Sequence, residues 1–108
     1  MVIDDHLPNG KVAELRNGVA REPHAPNADH FYEFMGSGQP MQEPVLLDFA
    51  QAVASPETLA SIAAITGKPV ARCETRSYVY PAGSFLLPHA DFHHRLDRLV
   101  AYAYYVLP

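Results

Sequence analysis

Cysteine is almost absent from this chain of 108 residues: Cys73 stands alone. A single thiol excludes an intrachain disulfide and any zinc site built from several cysteines. Positive charge is also short, with 8 Lys and Arg against 12 Asp and Glu, a net charge of −4. That balance argues against a nucleic-acid partner held by a broad basic surface. No apolar run approaches the ~20 residues of a membrane span, and the opening Met1-Val-Ile-Asp-Asp5 lacks the basic and apolar regions of a secretory signal. Internal repeats and low-complexity tracts are missing too. A soluble, cytoplasmic protein without a membrane partner is the default expectation.

What remains is enough for one domain. A hydrophobic fraction of 48% can form a core, and 19% charged residues is too few for a mainly disordered chain. Ten prolines and six glycines are spread along the length and cut it into short elements. Residues 1–8 read as a short opening strand. Lys11 to Val19 suit a short helix with Val12, Leu15 and Val19 near one face, weakened by Gly18. Residues 20–44 read as mostly irregular, pinned to the core by Phe31, Tyr32, Phe34 and Met35. Val45 to Ala54 is predicted helical.

The clearest helix is 56–66. Ser55 suits the N-cap, Pro56 the first helical position, Glu57 the positive end, and Gly67 the stop. Leu59, Ile62, Ala63 and Thr66 form its expected buried face. After Pro69 the character turns to strands: Val70 to Tyr80, a tight Pro81-Ala-Gly83 turn, a returning strand from Ser84 to Asp91, and a third from Arg98 to Val106. Cys73 is expected in the first of these as a small buried hydrophobe. Helices first and strands later predict an α+β domain, a mainly helical and irregular support region at 1–69 packed on a β region at 70–108.

The chemistry-bearing pair is His89-Ala-Asp91. Side chains two apart on a strand share a face, with Cα atoms roughly 6–7 Å apart. An imidazole and a carboxylate so placed can reach one metal ion, and they make two-thirds of the two-histidine, one-carboxylate set that holds non-haem iron(II). A hydrogen-bonded polar strand end fits the same spacing. His93 shares that face only if the strand continues, and its Cα would then lie roughly 13 Å from that of His89. His93, His94 and Arg95 also suit a solvated loop. Tyr102, Tyr104 and Tyr105 fit alternate positions on a half-buried strand.

Longer stretches give the pair a context. Tyr80-Pro-Ala-Gly-Ser-Phe-Leu-Leu-Pro-His-Ala-Asp91, the Arg98-Leu-Val-Ala-Tyr-Ala-Tyr-Tyr-Val-Leu107 run, Ile65-Thr-Gly67 and the opening Val-Ile-Asp-Asp-His-Leu-Pro resemble the prolyl-hydroxylase-like branch of the iron(II) and 2-oxoglutarate-dependent oxygenases. The resemblance spans most of residues 46–108 and only loosely the first 45. It implies the first strands of a double-stranded β-helix, a jelly-roll or cupin-like architecture. It also implies His89 and Asp91 as iron(II) ligands, and Tyr80, Tyr105 and Arg98 near 2-oxoglutarate, with Tyr105 on a cosubstrate carboxylate. Such enzymes couple decarboxylation of 2-oxoglutarate to succinate with hydroxylation of a C–H bond, often with ascorbate as reductant. The family's distal histidine and its basic residue for 2-oxoglutarate have no counterpart here, so a partial, inactive chain is expected.

Two rival classes stay open. The apolar run Leu99 to Val106 could pair with its own copy as an edge strand, making a self-associating, non-catalytic module and a homodimer through 98–106. A cupin-like metal or sugar binder is the other, because Gly83, five residues and His89-x-Asp91 partly match the cupin opening. The glutamate that opening needs is missing, since none follows Glu74.

Overall fold

The computed structural model describes residues 7–29, 32–87 and 99–106. In chain order they form α1 (Asn9–Arg21), β1 (His24–Asp29), β2 (Tyr32–Ser37), α2 (Pro44–Val53), α3 (Pro56–Thr66), β3 (Tyr78–Val79) and β4 (Phe85–Leu86). The class is α+β, with a small, open antiparallel sheet. Among the described residues no helix is long and apolar enough to cross a membrane.

Helix α1 begins where the Pro8 carbonyl accepts the N–H groups of Lys11 and Val12, at 3.0 and 3.1 Å. It outruns the expected 11–19 by two residues at each end. Gly18, far from weakening it, is buried at the contact with α2. A Cβ there would stand 2.4 Å from Val45 Cγ1 and 3.3 Å from Leu46 Cδ2, so only glycine allows this approach. The Arg21 side chain, in the last turn, meets Glu43 at 3.0 Å.

Helix α2 is started from outside. No side chain of its own N-cap residue, Glu43, caps it. Instead the buried Glu22 carboxylate accepts the Gln42 N–H at 2.7 Å and the Glu43 N–H at 2.9 Å. An anion on backbone donors at a helix N-terminus is favoured by the helix dipole. Leu46 then drops into the core with Leu15 of α1 and Met41 of the preceding link. Leu7, Val19, Val45, Phe49, Ala50, Tyr104 and Val106 pack around these three. Leu15 retains 2% of its surface, and burial of such a side chain is worth about 1.5–3 kcal/mol.

Helix α3 follows the expected boundaries. Ser55 Oγ accepts the Thr58 N–H at 3.3 Å, Pro56 takes the first position, and Gly67 ends the helix at φ 69° with its N–H on Ala63 O at 2.8 Å. Its face is shallower than expected. Leu59, Ile62 and Ala63 are half-buried, while Thr66 is exposed and returns its hydroxyl to the Ile62 carbonyl at 2.8 Å.

The strands depart most from the sequence expectations. Residues 20–44, read as irregular, contain β1 and β2, paired over their full length from His24↔Ser37 to Asp29↔Tyr32. Pro26 and Asn27 hide the signal, because pairing rather than propensity makes this strand. The expected strand 70–80 shrinks to β3, and Cys73 lies half-buried in an irregular stretch. Among the described residues, 84–87 do not pair back on 70–80, and the rest of the expected strand, 88–91, lies outside them. Both β3 and β4 pair antiparallel with β2, through Met35↔Val79 and Gly36↔Tyr78 and through Glu33↔Phe85 and Tyr32↔Leu86. Since β1 fills one edge of β2, β3 and β4 share the other as a single interrupted strand. Residues 80–84 loop out opposite Phe34, so Pro81-Ala-Gly83 makes a large bulge and not a hairpin turn.

Residues 99–106 form no strand either. Tyr104 and Val106 turn into the helical core, and Arg16 Nε donates to the Val106 carbonyl at 2.7 Å. Lys68 Nζ donates to Leu99 O at 2.9 Å. Apolar burial outcompetes edge pairing in this segment. Of the opening strand read at 1–8, residues 1–6 lie outside the described residues, and Leu7 packs on the core without joining a strand.

Candidate functional site

The bulge at 80–84 is where the sequence points. Gly83 sits at φ 90°, a conformation free for glycine and costly for other residues, and Ser84 N–H closes on Pro81 O at 3.0 Å. Tyr80 begins the bulge with its ring 5.1 Å from Phe34. Burial pushes the Tyr80 phenol above its ordinary value of 10.0, with further upward pushes from Tyr78 and Tyr105.

Tyr80 and Tyr105 are both open to water, at 51% and 86% exposure. Tyr104, next to Tyr105 in the chain, rests on Phe49, ring centroids 5.3 Å apart.

His89, Asp91 and Arg98 lie outside the described residues, as do His93, His94 and Asp97. Among the described residues no three His, Cys, Asp or Glu side chains gather as a metal site.

Two polar arrangements were not foreseen. His24 Nε2 lies 2.8 Å from Ser77 Oγ, and the Ser77 N–H donates to Ser37 Oγ at 2.9 Å. Ser37 pairs with His24 across β1 and β2, and Ser77, directly before β3, receives the Ser37 N–H on its carbonyl at 2.9 Å, so the cluster locks one end of the sheet. Only knowledge of the β2–β3 register could have predicted it. The second is a hydrogen bond between the Thr75 and Tyr102 hydroxyls. Although Tyr102 is 42% exposed overall, its hydroxyl end is desolvated and the phenol is pushed up to about 12.

The aromatic residues read as pins for a loop form something else. Tyr32 and Phe34 lie on one face of β2, ring centroids 5.0 Å apart, and Phe34 meets Tyr78 edge-on at 5.0 Å. Phe31 lies outside the described residues.

Comparison with known protein families, with curated proteins and with solved structures found no match.

Proposed function

We propose that this chain belongs to the iron(II) and 2-oxoglutarate-dependent oxygenases of the prolyl-hydroxylase-like branch and carries the first part of a double-stranded β-helix. The observation that carries the proposal is the pattern Tyr80-x-x-Gly83-x5-His89-x-Asp91 together with the φ of 90° at Gly83, the left-handed conformation that its glycine position calls for. The resemblance assigns Tyr80 and Tyr105 to the cosubstrate, and both rings are open to solvent.

In this scheme the Tyr80 and Tyr105 hydroxyls donate hydrogen bonds to a carboxylate of 2-oxoglutarate. Burial raises the Tyr80 phenol above its ordinary value of 10.0, which keeps it protonated for that task at neutral pH. His89 and Asp91 supply an imidazole nitrogen and a carboxylate oxygen to iron(II), a donor mixture suited to that ion. Bound together, iron(II) and 2-oxoglutarate supply the oxygen activation that hydroxylates a C–H bond. Arg98, at the start of the following segment, provides a cation beside the anionic cosubstrate.

Since the distal histidine has no counterpart in residues 1–108, the decisive test is binding. Iron(II) and 2-oxoglutarate are titrated anaerobically into the protein by calorimetry. We expect 2-oxoglutarate to bind only with iron(II) present, and both His89→Ala and Asp91→Ala to abolish it. Tyr105→Phe should weaken 2-oxoglutarate by about 10–100-fold, the worth of one hydrogen bond to a charged group. Iron(II) binding that survives loss of both His89 and Asp91 would overturn the assignment.

A further inference from the structure

Residues 99–106 are held differently from the elements around them. They join neither a helix nor the sheet, so no backbone ladder fixes them. Side chains reach over to hold them instead. Arg16 Nε of α1 donates to the Val106 carbonyl at 2.7 Å, and Lys68 Nζ, just after α3, donates to the Leu99 carbonyl at 2.9 Å. Between these two points the Thr75 and Tyr102 hydroxyls meet. Only two side chains seat the segment: Tyr104 rests on Phe49 of α2, and Val106 packs against the Leu15–Met41–Leu46 cluster. Both are half-buried, and the other six residues are exposed.

The helices beneath are fixed by contacts of their own. Helices α1 and α2 meet at Gly18, where the missing Cβ lets Val45 and Leu46 close in. The Glu22 carboxylate takes the N–H groups that start α2, and Ser55 and Gly67 close the two ends of α3. None of these contacts includes a residue of 99–106. Local opening is cheapest where few apolar contacts are buried and the bonds lie near solvent. The segment meets both conditions, and the α1–α2 contact meets neither. Freed from the helices, an uncharged run of Val and Tyr favours strand pairing. The seated conformation is therefore kept by its catches and not by local propensity.

We infer that residues 99–106 are a latch, which leaves the helical core as a unit while α1, α2 and α3 stay folded. Arg16 is its main catch, because its bond to Val106 is the shorter of the two and part-buried, whereas that of Lys68 is exposed and screened by salt. Opening uncovers Phe49 and frees a β-prone run for pairing. The inference stands apart from the oxygenase proposal, since it calls for neither iron nor cosubstrate.

Native-state proteolysis of the 108-residue protein decides it. Chymotrypsin cuts after Tyr, Phe and Leu where the chain has come away from the fold, and mass spectrometry places each cut in time. When opening is fast relative to cleavage, the cutting rate follows the open population. Cuts after Tyr102, Tyr104 or Tyr105 should run about 10-fold or more ahead of any after Leu15, Leu46 or Phe49, and helical circular dichroism should survive them. Arg16→Ala should speed the cuts in 99–106 by about 10-fold, the worth of one hydrogen bond from a charged donor. It should leave the cuts in α1 and α2 unchanged. Lys68→Ala should act in the same direction by less, and it replaces Arg16→Ala if that variant does not fold. Cuts in 99–106 that arise only together with those in α1 and α2, or at one rate in the wild type and both variants, would overturn the inference.

Discussion

In the helices, Leu15 and Leu46 are almost sealed from water, whereas in the sheet Tyr78 and Leu86 keep about half their surface in it. The two halves are held differently. Helices α1 and α2 close on each other through Gly18 and share a core with Met41, Tyr104 and Val106. Strands β1 to β4 are held by the backbone ladder, ring contacts around Phe34 and the His24–Ser77–Ser37 bonds. Among the described residues, the buried core lies among the helices, the 41 link and the 104–106 segment. Among the described residues, the sealed apolar contacts therefore concentrate in the helical part, and the sheet keeps its large apolar side chains half open to water.

The comparison is broken or upheld most directly by two leucines. Leu15→Ala should cost about 2–5 kcal/mol, since a sealed leucine leaves a cavity. Leu86→Ala should cost less than about 1 kcal/mol in the monomer, because half its surface was never removed from water. Urea unfolding monitored by circular dichroism, at concentrations where the chain is monomeric, measures both. Equal losses would show that the sheet carries as much of the core as the helices do.

Next in size is Glu22. Its carboxylate satisfies the Gln42 and Glu43 N–H groups inside the fold, and Glu22→Ala should cost about 2–3 kcal/mol by orphaning them. The same unfolding measurement reads it. The expected loss comes with fraying of α2, visible as faster amide exchange at residues 45–47 than at residues 59–63 of the independently capped α3. Uniform exchange in both helices would mean that Glu22 does not start α2.

The gap between sequence and structure follows the same division. Helix α3 was legible to the residue because Ser55, Pro56, Glu57 and Gly67 act within a turn of where they stand. Helices α1 and α2 were legible in outline, although the role of Gly18 depends on Val45, 27 residues away. The sheet was not legible. The pairing Met35↔Val79 joins residues 44 apart, and no local pattern states that the chain from 78 to 86 will run on past a bulge instead of folding back. For the candidate site, the motif named Tyr80 and Tyr105, and their exposure came only with the fold. Tyr104, read with Tyr102 and Tyr105 as an alternating strand residue, instead rests on Phe49.

Tyr102 offers the finest division between the halves, since it ties the 99–106 segment to Thr75. Desolvation holds its phenol at about 12 against an ordinary 10.0. The folded chain therefore keeps a proton between those pH values that the unfolded chain gives up. Unfolding then releases a proton, and stability must fall as pH rises. The contribution is whole below pH 10 and is lost as pH climbs through 12. Tyr80 is displaced in the same direction and adds to the fall from the sheet side. Thermal melts across this range should show a steeper alkaline decline for the wild type than for Tyr102→Phe, which has no proton to lose. Tyr80→Phe should flatten the curve less, because its phenol is the more open to water. If the two substitutions flatten it equally, the 99–106 segment is no better packed than the sheet, and the boundary between the sealed and open halves must be drawn nearer to Tyr104.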